Sequence, residues 1–146
     1  MTGKNLVAAL TFLMMTGCSG YAPPRYDPTL YPHSHRFYDL TLFWNVTREG
    51  TTVTIPGFVK NTRFAYVKDL ELTGTLLDEE GSKLGEATYY FFPRLIEMDE
   101  VVPFTLKMVL KEERQAAKVR FFYRYRLPAK DYGDSPYSYS FEEQLP

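Results

Sequence analysis

Few residues in this 146-residue chain have the chemistry to react or to ligate. There is one cysteine, Cys18, and there are two histidines, His33 and His35. Without a second cysteine no intrachain disulfide can form, so the Cys18 thiol is either a small buried apolar group or a point of modification. Its surroundings favour modification. Lys4 is followed by a charge-free run from Leu6 to Met15, then by small Thr16 and Gly17, and only then by Cys18. Positive, then apolar, then small is the layout of a bacterial export signal. The apolar run is half the roughly 20 residues that a spanning helix requires, and no comparable run follows it.

Met15-Thr16-Gly17-Cys18 resembles the lipobox of bacterial lipoproteins, in which the cysteine sulfur takes a diacylglycerol and the preceding peptide bond is cut. The resemblance implies that residues 1–17 are a signal peptide and that Cys18 becomes a lipidated first residue. One acyl chain binds a membrane only marginally, so firm attachment takes two or three. Ser19 after the cysteine is similar to the pattern that sorts lipoproteins to the outer membrane, which implies an envelope protein on the periplasmic face of that membrane.

His33-Ser34-His35 has metal-like spacing, because residues two apart share a face of an extended chain. A metal site wants further ligands, and Asp39 is the nearest candidate. Pro23, Pro24, Pro28 and Pro32 precede the pair. They break helix and remove ladder donors, so residues 18–36 read as an extended tether and the histidines as part of a wet linker; the interspersed Tyr21, Tyr26 and Tyr31 could instead lie at the lipid headgroups or pack on the domain. A general base cannot be held still there. The carboxylate groups Asp78-Glu79-Glu80, Asp99-Glu100 and Glu142-Glu143 fall at turns or in the tail, where water screens them; acid–base work needs a cleft that drives pKa values apart. Calcium at the first group is the alternative. No catalytic residue, metal or cofactor is expected.

The remaining candidates lie on strands. Lys118, Arg120, Arg124 and Arg126, with Phe122 among them, alternate with Val119, Phe121, Tyr123, Tyr125 and Leu127, so they share the outer face of one strand. Such a face could meet an envelope protein, a polysaccharide or anionic lipid heads. Equally, it could be a wet face whose cations guard against edge-to-edge pairing. Tyr89, Tyr90, Phe91 and Phe92 pose the same choice between a partner surface and a covered one. Asn45-Val46-Thr47 matches a glycosylation sequon, which on a bacterial strand is noise.

Those strands need a body. Loss of residues 1–17 leaves about 130 residues, enough for one domain. With 17 basic and 18 acidic side chains the chain lacks the basic excess of a nucleic-acid binder. From Phe37 onward the pattern has period two: Leu40, Leu42, Trp44, Val46; then Val53, Ile55, Gly57, Val59; then Leu70, Leu72, Gly74, Leu76. Val102 to Leu110, Val119 to Leu127 and Tyr137 to Phe141 repeat it, and the 84–92 segment is a further strand with aromatics on both parities. Strict alternation means half-buried strands. Residues 111–117 could form one helical turn. About seven strands separated by turn signals predict an all-β, antiparallel, immunoglobulin-like two-sheet sandwich over 37–146.

Within it, Gly57-Phe58-Val59-Lys60-Asn61, Asp78-Glu79-Glu80-Gly81 and Leu84-Gly85 resemble the FxLYD family and its immunoglobulin-like relatives, with Val102-Pro103-Phe104 similar to the family's return strand. Gly74 and Leu77 stand where that family has Phe and Tyr. The resemblance implies an envelope-facing, non-enzymatic binding module and hands over no site residues. A structural or stress-protective envelope protein is the alternative.

Overall fold

The period-two runs all form strands. A computed structural model describes residues 26–111, 115–129 and 133–145. Cys18, the export-signal segment and the first part of the proline-rich stretch, through residue 25, lie outside the described residues. So do 112–114, within the expected helical turn, and 130–132 of the last turn. Ten strands are described: β1 (His33–Phe37), β2 (Leu40–Trp44), β3 (Thr47–Glu49), β4 (Thr52–Asn61), β5 (Val67–Leu77), β6 (Lys83–Tyr90), β7 (Leu95–Ile96), β8 (Val101–Val109), β9 (Lys118–Ala129) and β10 (Gly133–Gln144).

They build two antiparallel sheets. In the first, β1 pairs with β2, β2 and β3 lie end to end along one edge of β4, and β8 pairs along its other edge. In the second the order is β10–β9–β5–β6, with β7 continuing the line of β6 beside the start of β5. Lettered as an immunoglobulin-like sandwich, β2/β3–β4–β8 take the A-B-E positions and β10–β9–β5–β6 the G-F-C-C′ positions. Pro56 explains why the first strand is split. It has no N–H to donate, and it sits on β4 opposite Asn45 and Val46, the two residues left between β2 and β3.

The expected inward faces are the buried ones. Leu40, Leu42, Trp44, Ile55, Val59, Leu72, Leu76, Phe104, Leu106, Val119 and Phe121 form one core between the sheets. Gly57 lies where no side chain fits, because a Cβ there would stand 2.3 Å from the Phe43 carbonyl oxygen and 2.5 Å from the Phe104 ring. At Gly85 the same atom would meet ordinary contacts of 3.6 Å.

The boundary expected between residues 36 and 37 is corrected. His33–Phe37 is a strand, because its alternation points His33, His35 and Phe37 at the open flank between the two sheets. There His33 stacks on Trp44 (centroids 5.7 Å apart), His35 on Phe141 (3.7 Å) and Phe37 on Tyr139 (3.5 Å). The histidines are therefore flank-sealing rings, not linker residues. Proline spacing hid this, since Pro32 falls just before the strand and costs it no ladder donor.

One end of the sandwich gathers the β1–β2 turn, the β4–β5 loop and the β6–β8 connection. Two buried polar groups hold these loops. Asn61, fully buried, donates through Nδ2 to the carbonyl oxygens of Ala65, Ile96 and Glu97 at 2.9, 3.1 and 3.0 Å, and its Oδ1 accepts from the Arg63 N–H. Asp39 accepts from Arg63 Nη1 at 2.7 Å and from Tyr125 Oη at 2.6 Å, so it pins a turn of the first sheet to a strand of the second. Burial, followed by the bond to Asp39, pushes the Tyr125 hydroxyl well above its ordinary pKa.

Two outcomes follow from this packing. Gly57→Ala should lower stability in urea denaturation by roughly 1–3 kcal/mol through overpacking, whereas Gly85→Ala should change it by less than about 0.5 kcal/mol. His35 is the second test. Desolvation lowers its pKa from the ordinary 6.5, against a weaker opposing pull from Glu143. Its depressed folded-state value means stability is complete above pH 6.5 and falls as the pH drops below it. His35→Phe should keep the stack and flatten the acid limb of urea midpoints measured between pH 7.5 and 5.

Candidate interaction surface

The outward parity of β9 carries Lys118, Arg120, Phe122, Arg124 and Arg126, and strand pairing extends each into a row across the second sheet. The Arg120 row runs from Glu142 on β10 through Thr75 on β5 to Glu86 on β6. Arg120 donates to Glu142 Oε1 through Nε and Nη2 at 2.9 and 2.7 Å, and Thr75 Oγ1 donates to Glu86 at 3.0 Å. Lys83, and then Thr75, hold the Glu86 carboxyl below its ordinary pKa.

The Phe122 row is Ser140–Phe122–Thr73–Thr88, with the two threonine hydroxyls 2.8 Å apart. The next row is Ser138–Arg124–Glu71–Tyr90, in which Arg124 Nε donates to Glu71 at 2.6 Å. That bond raises the guanidinium pKa further. A bulge in β5 between Lys68 and Glu71 follows, where Asp69 has φ 50° and bonds Arg94. Beside it lies a shallow groove of about 270 Å³ bounded by Glu71, Arg94, Arg124, Arg126 and Tyr137.

The structure thus brings all five expected residues onto one face and changes its character. Arg120 and Arg124 are each paired with a carboxylate, so two of the four cations are neutralised within the sheet. What stands out of it are rings, with Phe122 at 40% and Tyr90 at 67% exposure. The parity of the 84–92 segment is also settled: Tyr89 and Phe91 pack inward on Phe104, while Tyr90 and Phe92 face out.

The outer face of the first sheet is the opposite case. Phe43 and Phe58 face outward there, in cross-strand register, and rings from the N-terminal segment cover them. Tyr26 packs edge-on against Phe43 and Phe58 at 5.4 and 5.3 Å, and Tyr31 against Phe58 at 5.0 Å. A short 3-10 turn, Pro28–Leu30, capped by Asp27, sets their spacing. Of the alternatives for Tyr26 and Tyr31, packing on the domain is the one found, so residues 26–36 lie on the domain and are not an extended tether. Two aromatics at outward strand positions were the available signal, since an apolar outer face asks to be covered.

A larger concavity, about 680 Å³, lies at the other end among Asp78, Glu79, Glu80, Gln115 and Gln144. Its Asp78 carboxylate is spent on its own turn, accepting from the Ser82 N–H at 2.7 Å. Among the described residues no three His, Cys, Asp or Glu side chains come together as metal ligands, and no helix is long and apolar enough to cross a membrane.

Burial of Phe58 under the tyrosines makes a prediction. Tyr26→Ala combined with Tyr31→Ala should lower urea stability by roughly 1–3 kcal/mol, the worth of uncovering a large apolar side chain, whereas Phe122→Ser, on the open face, should change it by less than about 1 kcal/mol.

No protein-family model matches the chain, and no curated protein matches it in sequence. Among solved structures it is similar to the GAE domain of yeast GGA1, at 13% identity over 78% of this chain and 97% of that one, with a TM-score of 0.48. The GAE domain of GGA2p from Saccharomyces cerevisiae gives 12% identity over 77% and 94%, with a TM-score of 0.40. Part of a beta-glucuronidase from glycoside hydrolase family 2 gives 9% over 68% and 11%, also at 0.40. At such identity and overlap none of them speaks to activity or partner.

Proposed function

We propose that the protein is a bacterial envelope lipoprotein, anchored through Cys18, whose sandwich is a non-enzymatic interaction module presented in the periplasm. The anchoring part rests on the lipobox-like Met15-Thr16-Gly17-Cys18 behind a short apolar run. The interaction part rests on one observation: the two outer faces are treated differently. Tyr26 and Tyr31 cover the outward rings Phe43 and Phe58 of the first sheet, while the second leaves Phe122 and Tyr90 exposed beside paired Arg–Glu side chains and threonines.

Charges already satisfied in cis add little net attraction for an ionic partner. Exposed rings can supply contact area for a protein or a flat stacking surface for a polysaccharide. The proposed partner therefore meets rings and hydroxyls, with Lys118, Arg120, Arg124 and Arg126 orienting it.

Cys18→Ser should remove metabolic palmitate labelling and reduce membrane retention in the native host. Tyr90→Ser with Phe122→Ser should abolish crosslinking of the lipidated protein to envelope components, whereas Val109→Ser, an exposed residue of the first sheet, should not. An unchanged crosslinking pattern in the Tyr90/Phe122 variant would contradict the interaction reading.

A further inference from the structure

Exposed apolar side chains are distributed unevenly between the two ends of the sandwich. The end held by Asn61 and Asp39 carries Tyr38 (80% exposed), Phe64 (95%), Tyr66, Phe92 (91%), Leu95 and Met98 (51%). Their loops are adjacent. Thr62 donates to the Asp39 and Tyr38 carbonyl oxygens, Asn61 binds the carbonyls of Ala65, Ile96 and Glu97, and the Asp99 N–H returns to Asn61. Three residues other than glycine hold left-handed backbone here, Tyr38 (φ 44°), Asp69 (φ 50°) and Asp99 (φ 60°). Positive φ at a bulky residue is costly and persists only where the surroundings impose it. The opposite end has polar and acidic turns, among them Asp78-Glu79-Glu80.

Four of the cations described at the apolar end are engaged: Lys60 pairs with Asp99, Arg63 with Asp39, Lys68 with Asp134 and Arg94 with Asp69. Those four pairs add little net attraction for a charged surface. The chemistry of this end is that of protruding rings and aliphatic tips flanked by neutralised ion pairs, with two tyrosines among them, the residue type that sits at membrane–water boundaries.

Chain length supplies the occupant. Tyr26, the first described residue, packs against Phe43 and Phe58, and Phe43 is three positions along β2 from Leu40, where the apolar end begins. Seven residues separate Cys18 from Tyr26, and the eight Cα–Cα steps, fully extended, reach at most about 28 Å. A lipid on Cys18 and the apolar loops can thus meet one bilayer. We infer that these loops rest in the lipid headgroup region, so that the domain lies against its membrane with the Asp78-Glu79-Glu80 end pointing away. This rests on the lipid-anchor reading.

The test uses full-length lipidated protein in phosphatidylethanolamine/phosphatidylglycerol vesicles containing brominated acyl chains. Phe64→Trp and, at the far end, Glu80→Trp are compared. The native Trp44 is 1% exposed and gives both the same background. Expected is several-fold stronger quenching in the Phe64→Trp protein than in the Glu80→Trp protein, unchanged at 0.5 M salt. Equal or absent quenching in a sample that carries palmitate would overturn the contact while leaving the anchor intact. Loss of quenching in a sample without palmitate would instead remove the anchor reading, and the inference with it. Photocrosslinks from position 64 in cells that reach a protein and no lipid would also overturn it.

Discussion

The organisation of this molecule depends on two tyrosines lying across two phenylalanines. Phe43 and Phe58 occupy outward positions of neighbouring strands, where a sheet normally meets water. Tyr26 and Tyr31 bury them edge to face, an arrangement worth something beyond the area it hides. That contact makes residues 26–36 part of the domain and covers the two outward rings of the first sheet.

The buried polar groups do a different job. Asn61 and Asp39 do not enlarge the core; they fix the loops at one end to the strands beneath them. Leaving such groups without partners is costly, so every element they touch is held in one arrangement: the β1–β2 turn, the β4–β5 loop, the β7 region and, through Tyr125, the second sheet. Loops pinned in this way can hold exposed rings in place, which free loops cannot do without an entropic cost on binding.

Much of the fold was legible because period-two burial has no ambiguity once one face is dry. Leu40 to Trp44, Val102 to Leu110 and Val119 to Leu127 turned inward as the alternation requires. The family-like residues around Gly57, Asn61 and Gly81 proved to be architectural: a close approach, a loop clamp and a turn at φ 83°. What stayed hidden depends on contacts between distant segments. His33-Ser34-His35 has the same alternation as any linker of small polar residues, and only the rings of Trp44, Tyr139 and Phe141 make it a strand. Arg124 and Arg120 looked free because their partners, Glu71 and Glu142, lie 53 and 22 positions away. Sequence spacing places residues on a face, but it does not say which neighbours a sheet will bring beside them.

On the proposed lipid anchor at Cys18, docking of the N-terminal tyrosines would keep the sandwich close against the bilayer. Neutron reflectometry on the lipidated protein in a supported bilayer reads that separation directly. Protein density contiguous with the headgroup layer is the predicted profile. A hydrated gap wider than the eight extended Cα–Cα steps from Cys18 to Tyr26 can bridge, about 28 Å, would contradict it.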